Sequence, residues 1–572
     1  MGLRLGLRRL GLPVSSIAGV PVVPFLLRDD YLDDRAAGSV NSTLATPGGI
    51  GTAAMLTRNV TDTGNVLSIS SSQAVWATNA AGTYGDPDLV YGSHVREFGR
   101  TFLCRFSKGN TVNNFAFGWG DNALVFDNSA PGVTFGIGFV IGTIYINDDV
   151  NIASTVTAVG SYLASTVYHI AVTQRAAGGY FFWKDPGGAW KLLWVSSLDA
   201  STPVYPGMTI YRQAMTVDFA RIPFALFVVP QLLNDTFTRI NGNLTASETT
   251  GADGQAVLSR TYVGSNTFQI SGNQVVNTPA TFGAELLTDG DMELAGVANW
   301  PDYSTPPTTK AKLGGAARSG VQGLQIISNL ANEGAQQQVV SSVGTWLKVV
   351  GWGNGVGTGT GRISVTNLSC TGDAVIANGV WTQSEHAGYV RVANPTIQLW
   401  ITTAARQVYY DDCSIKALTL TELIQSVNCG VPDVIADVSV TMANNCDTGL
   451  ILKLDSQASP ANFILALLTN GGNTCTLHKC VAGTYTQLIS TAVTYSAGAI
   501  LRVILDGSAV RLYYNGVQVG TTQTVSDGGI INNVLHGIFS TDAGNVLDNL
   551  RLWSRGNDGS YSQLDSYISG DS

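Results

Sequence analysis

Cations are scarce in this sequence. Lysine and arginine together number 31 among 572 residues, against 40 aspartates and glutamates, which leaves a formal charge of −9 and a pI near 5.0. That balance provides no electrostatic footprint for nucleic acid. Charged residues of either sign reach only 12%, and long runs of strong helix formers are missing. The seven cysteines (104, 370, 413, 429, 446, 475 and 480) contain no CxxC pair, which argues against a thiolate zinc site. Their odd number and wide spacing suggest reduced, buried thiols, as in a chain made in a cytoplasm, although Cys475 and Cys480 are placed to pair across a hairpin. The five histidines show no metal-ligand spacing. There is no G-x-S-x-G, no P-loop and no nucleophile with an identifiable base. These absences predict a protein that is not an enzyme.

What the chain does contain is glycine (65 residues), aromatics at 9%, and abundant Val, Thr, Ile and Tyr. That composition favours many strands joined by Gly, Asn, Asp and Ser turns, so the fold class is all-β. The length is that of about three domains.

Residues 1–28 carry four arginines and no acid, with Pro13, Pro21 and Pro24 interrupting the apolar run. The prolines and the lack of a small-x-small cleavage site argue against a signal peptide, and the run is too short and broken to span a bilayer. The segment reads as an extended anchoring arm, ordered by packing on neighbours in an assembly or folded back on its own domain. No membrane insertion is expected.

Residues 29–232 carry strand candidates at Thr101–Phe106, Asn114–Trp119, Val133–Ile141, Thr143–Ile146, His169–Thr173, Gly179–Trp183, Trp190–Val195 and Phe224–Val229. Short strands at this spacing indicate a two-sheet sandwich. The opening of this unit, Arg28–Asp34 followed by Gly64–Ile69, is echoed at Asn234–Phe237 and Ser265–Ile270, which suggests internal duplication. The second copy lacks a continuation after Val276. That continuation is expected from about residue 419, where strands at Val438–Met442, Gly449–Leu454, Asn462–Leu468 and Thr474–Val481 lead to hairpin turns at Asp506-Gly507 and Asn515-Gly516. The chain then predicts three β-sandwiches: 29–232, 233–279 joined to 419–554, and an insert of 280–418. Residues 555–572, rich in Gly, Ser and Asp, read as a polar tail.

The repeated opening, the paired hairpins, Tyr513–Val519 (YYNGVQV) and Leu547–Trp553 (LDNLRLW) together resemble the laminin-G/concanavalin-A-like jelly-roll family. Glu285–Leu294 followed by Trp300, Ala317–Ile326, Trp346–Trp352, the Trp381-Thr382 pair and Tyr409–Ile415 resemble a carbohydrate-binding module of the family 4/9/22 type. The first family includes lectins, adhesion modules, glycosidases and plain structural domains.

In the insert, Asp289, Asp291 and Glu293 at i, i+2 and i+4 would share one face of a strand. Hard oxygen ligands so spaced suit Ca²⁺, and a solvated acidic edge is the alternative. The module resemblance implies a structural calcium held by Glu293 and Asp412, with Asp291 and Asp411 as further ligands. Sugar binding would use aromatic faces with amides nearby. Trp300 and Tyr303, in a Pro-rich loop, and Trp400 with Gln398 on one strand face are the candidate platform, whereas Trp381 reads as core. A retaining glycosidase needs two carboxylates about 5 Å apart, yet neither jelly-roll region carries an E-x-D-x-E strand. Arg221-Ile222-Pro223 and Ser540–Gly544 match sialidase signatures only in isolation.

Several such sandwiches, a basic arm and a sugar-module insert resemble a bacteriophage virion protein: a tail fibre, head fibre or decoration protein. The resemblance implies assembly in the host cytoplasm, contacts to other virion proteins through the arm, a homo-oligomer compatible with a trimer, and multivalent attachment to host-surface polysaccharide. The alternatives are an extracellular or cell-surface adhesin and a purely structural spacer.

Overall fold

A computed structural model describes residues 25–77, 88–110, 115–120, 133–140, 142–147, 157–176, 178–196, 204–210, 214–304, 309–370 and 373–569. Among its described residues the chain is nearly all β, with two short α-helices. Its strands form six antiparallel-dominated sheets, numbered I to VI here in spatial order. Sheets I and II are built from residues 25–223, sheets III and IV from strands before 278 and after 423, and sheets V and VI from the chain between, with the short strand Asn445–Cys446 added to sheet V. Sheet III joins Gln231–Asp235 and Gln274–Asn277 to opposite ends of the late strand Val546–Ser554, so the parent sandwich closes around the insert.

The duplication is visible side chain by side chain. Phe25–Asp29 and Gln231–Asp235 each pair with the last strand of their own sandwich. Each ends in a fully buried aspartate, Asp29 or Asp235, followed two residues later by an aromatic with positive φ, Tyr31 or Phe237. The aspartate accepts that residue's N–H at 3.3 and 3.0 Å respectively. A tyrosine hydroxyl also donates to each: Tyr91 at 2.8 Å and Tyr262 at 2.9 Å. Arg58 grips Asp29 through two nitrogens at 2.6 and 2.7 Å, and Arg239 does the same for Asp235. A buried carboxylate is stable only with such a full complement of donors.

Hydrophobic layers continue between the sandwiches. Sheets I and II share an aromatic core in which Phe102 and Phe117 stack at 4.3 Å. The same cluster passes through sheet II to Ile435, Ile504, Tyr513 and Trp553 of sheet III. There Arg502 lies 4.0 Å from the Trp194 ring centroid, pairs with Asp437 at 2.7 Å and donates to the Val195 carbonyl at 2.8 Å. Sheets III and IV enclose an aliphatic core, and sheets V and VI enclose the core of the insert.

Between sheets IV and V lies a further apolar seam of Trp346, Tyr389 and Leu418 from the insert against Ile451, Phe463, Leu465 and Phe539. Tyr389 stacks on Tyr485 at 4.6 Å, and the Trp346 indole donates to the Tyr485 hydroxyl at 2.8 Å. Backbone pairing crosses the seam too, with His386 and Ala387 parallel to Asn445 and Cys446.

Some expectations are corrected. Residues 25–28 of the arm belong to the first strand of sheet II, while 1–24 lie outside the described residues. Phe224–Val229 is not a strand; the strand is the preceding Met215–Pro223. Residues 555–569 are no free polar tail. Tyr561 and Leu564 are fully buried, and the helix Gln563–Ser569 lies on sheet II. There the Tyr561 ring packs edge-on to Phe182 at 5.0 Å, Asp565 accepts from the Trp190 indole at 3.0 Å, and Arg221 caps the Tyr567 carbonyl at 3.2 Å. All seven cysteines are buried and free. Cys475 and Cys480 share the strand Thr474–Val481, which prevents the hairpin pairing.

Tyr561→Ala removes a buried ring that bridges the first and second sandwiches. A loss of about 3–5 kcal/mol is expected to lower the first unfolding transition by on the order of 10 °C in a calorimetric scan, and an unchanged first transition would show that the segment only decorates the surface.

The seam also holds a titrating group. Asp447 is fully buried, accepts from Ser369 Oγ through one oxygen and has no partner for the other. Burial pushes its carboxyl up from 3.8 to about 7. Because the folded value is the higher one, the favourable contribution is complete below about pH 4 and lost as pH rises through about 7. Asp447→Asn is therefore expected to raise thermal stability at pH 8 and to leave it near wild type at pH 4; equal effects at both pH values would remove Asp447 from the pH dependence.

Candidate functional site

The stack leaves one sheet of the insert with its outer face uncovered by another sheet. Sheet VI is ordered Asp302–Ser304, Glu333–Gln338, Thr396–Ile401, Gly361–Val365, Ala374–Ile376. Along Thr396–Ile401 burial alternates strictly, with Ile397, Leu399 and Ile401 in the core and Thr396, Gln398 and Trp400 on the outer face. This is the period-2 signature of a half-buried strand. Register carries the face sideways. Trp400 stands opposite Gly334 on one side and Arg362 on the other, and Gln398 stands opposite Gln336 and Ser364. Tyr303 stands beyond Gly334. A Cβ at Gly334 would lie 2.8 Å from the Trp400 Cβ, so glycine at this position is what lets Tyr303 and Trp400 approach across it.

The two rings lie 6.1 Å apart, tilted by 44°. The Trp400 indole N–H donates to Ser364 Oγ at 2.6 Å, and that hydroxyl donates to Asp373 at 2.6 Å. The relay fixes the ring without covering it, and Trp400 stays half-exposed. Gln398 is half-exposed with no side-chain partner among the described residues, so its amide retains both donor and acceptor capacity.

Three of the four platform residues thus come together. Trp300 does not: it is fully buried in the insert's core, and its indole donates to the Asp289 carbonyl at 3.1 Å. Its Pro-rich neighbourhood suggested a loop-borne ring, but the ring turns inward. Trp381, expected in the core, is half-exposed, and Trp352 carries Arg318 at 3.6 Å over its ring. Missed from sequence were Arg362, Gln336 and the Ser364–Asp373 relay; only strand pairing brings them beside Trp400.

The acidic residues are arranged differently from expectation. Asp289, Asp291 and Glu293 do not share a strand face, because the chain turns there, with positive φ at Asp289 and Met292. Gly290 passes so close to Cys413 that a Cβ would lie 2.0 Å from its carbonyl oxygen. Asp289 pairs with Lys312, and Asp412 with Arg318 at 2.6 Å. Asp291 accepts only the Glu293 N–H, at 3.4 Å. Glu293 and Asp411 do converge, on residues 318–322: Glu293 accepts the Val321 and Gln322 N–H groups at 2.7 and 3.0 Å, and Asp411 accepts those of Arg318 and Ser319 at 2.7 and 3.1 Å. Among the described residues no group of three or more His, Cys, Asp and Glu side chains is placed to hold a metal. Of the four expected ligands only Glu293 and Asp411 meet on one segment, and both are engaged by its backbone N–H groups.

The two sialidase-like fragments are occupied structurally. Arg221 is paired with Asp30 at 2.8 Å, and Asp542 with Lys348 at 2.6 Å across the seam.

No family model matches this chain, and no curated protein matches it. Among solved structures it is similar to a Family 16 Carbohydrate Binding Module-2, 21% identical over 23% of this chain and 98% of that one, with a TM-score of 0.20. It is also similar to the CBM22-1-CBM22-2 tandem domain from Paenibacillus barcinonensis Xyn10C, 11% identical over 48% of this chain and 99% of that one, at TM-score 0.21. A beta-1,3-glucanase from Mycobacterium marinum is 15% identical over 35% of this chain and 98% of that one, at TM-score 0.24. At these values the architecture rests on the chain's own sheets.

Proposed function

We propose that the chain is a non-enzymatic glycan-binding protein and that the outer face of sheet VI is its binding surface. The observation that carries this reading is the half-exposed Trp400–Tyr303 pair, held rigid by Ser364 and flanked by the unpartnered amide of Gln398. Aromatic faces bury the apolar face of a sugar ring, while amides bond its hydroxyls. Rings tilted by 44° do not lie on one plane, which suits a twisted single chain better than a flat crystalline surface.

In its fuller form the reading makes this a bacteriophage fibre or decoration protein. Many copies on one particle would turn a weak site into firm attachment to host polysaccharide. The structural calcium of the reading is held by Glu293 and Asp412, with Asp291 and Asp411 as further ligands, in place of the backbone N–H and Arg318 partners that Glu293, Asp411 and Asp412 have here.

Two measurements test this. On a glycan array the intact chain is expected to bind a subset of polysaccharides, and Trp400→Ala to weaken that binding by at least about 10-fold with an unchanged melting temperature; binding indifferent to Trp400 would move the site elsewhere. For the metal, saturating Ca²⁺ is expected to raise the insert's melting transition by about 5–10 °C over EDTA, and Glu293→Gln to abolish the shift. A transition unmoved by chelation and by added Ca²⁺ leaves these carboxylates with only their hydrogen-bond and ion-pair partners.

A further inference from the structure

Arg362 is a half-buried guanidinium on the binding face, with no hydrogen bond or ion pair to its side chain among the described residues. The nearby carboxylates are otherwise engaged. Asp302 is paired with Lys310, and Asp373 accepts from Ser364. The remaining groups on this face, Tyr303, Gln336, Gln398 and Trp400, are neutral. The face thus holds one guanidinium without an ion pair, Arg362, and one carboxylate, Asp373, bonded to the neutral Ser364 hydroxyl, in a chain whose formal charge is −9. Arg58, Arg502 and Arg175 are matched with Asp29, Asp437 and Asp253. Arg362 belongs instead with Arg511 and Arg551, half-buried guanidiniums without an ion pair among the described residues, and it is the one beside the Trp400–Tyr303 pair.

Resting on the glycan reading above, we propose that the surface is built for an acidic polysaccharide and that Arg362 binds the carboxylate of a hexuronate residue. The register supports it. Arg362 is the cross-strand partner of Trp400, roughly 5 Å away between strands, so a sugar ring stacked on the indole carries its exocyclic C5 substituent towards the guanidinium. The planar guanidinium fork matches a carboxylate in two parallel N–H···O bonds. A primary alcohol at the same carbon offers a weaker, neutral contact. Because the whole chain is anionic, bulk attraction does not account for binding of a polyanion.

The test uses the intact chain and three matched pairs of polymers: polyglucuronate, polygalacturonate and polymannuronate, each against its carboxyl-reduced form, by calorimetric titration, with dextran sulfate as a competitor. At least one uronan is expected to bind about 10-fold tighter than its reduced form. Arg362→Gln should erase that preference with an unchanged melting temperature, and Trp400→Ala should weaken binding of both polymers. Equal affinity within every pair, an Arg362→Gln variant that keeps the preference, or equally strong competition by dextran sulfate overturns the uronate assignment and leaves the glycan reading standing. Failure of all six polymers to bind overturns the assignment; if the glycan array is also silent, the underlying reading fails with it.

Discussion

A β-sheet with apolar residues on both faces has to be covered on both, and that constraint organises this molecule. A sandwich covers only the inner face of each of its sheets. Here the outer face of sheet II is covered by sheet III, through Trp194, Arg502 and Tyr513. The outer face of sheet IV is covered by sheet V, through Phe463, Phe539, Trp346 and Tyr389. The result is a column of six layers in which the middle sheets are covered on both sides where they meet their neighbours. In the second sandwich, burial of every residue in Thr448–Leu454 and Phe463–Thr469 is the direct mark of this arrangement. Such strands read as continuous apolar runs, the pattern of a sheet covered on both sides.

The same constraint decides where a ligand can bind. The outer face of sheet IV is filled by the insert, so the parent sandwich has become a support for it. Sheet VI, at the end of the column, is the face where polar and aromatic side chains alternate with core residues. On the proposed reading, binding is thereby displaced from the sandwich that encloses the insert to the insert itself. The insertion is also stiffer than its two chain crossings alone would make it, because backbone pairing at His386–Ala387 and the Lys348–Asp542 ion pair fasten it laterally.

Much of this was legible in the sequence, for identifiable reasons. Asp506-Gly507 and Asn515-Gly516 demand particular turns, and the strands around them followed at once. The repeated opening was legible because a buried aspartate and a left-handed aromatic recur in one short motif, which a duplicated sandwich needs in both copies to close its first strand. The misses have equally physical causes. Phe224–Val229 has a strand's composition, but Pro223 and Pro230 withhold donors at both ends, and the run lies over the sheet with Phe227 and Val229 inward. In 561–567 the spacing of Tyr561, Leu564 and Tyr567 is that of one helical face, masked by surrounding Gly, Ser and Asp. Trp300 shows the limit of reading single aromatics: which way a loop-borne ring turns is set by partners such as the Asp289 carbonyl, distant in no simple pattern.

The site itself was half legible. Alternation placed Trp400 and Gln398 on one face, since that depends on a single strand. Arg362, Ser364 and Gln336 belong to the same face only through pairing between strands up to about sixty residues apart, and no local pattern encodes such register. The consequence is chemical. From one strand the platform looks neutral, a Trp and an amide; assembled across four strands it carries a guanidinium without an ion pair beside the stacking ring. On the proposed reading, the group that selects an acidic polysaccharide arises at the level of the sheet, while the stacking ring is already present in the strand.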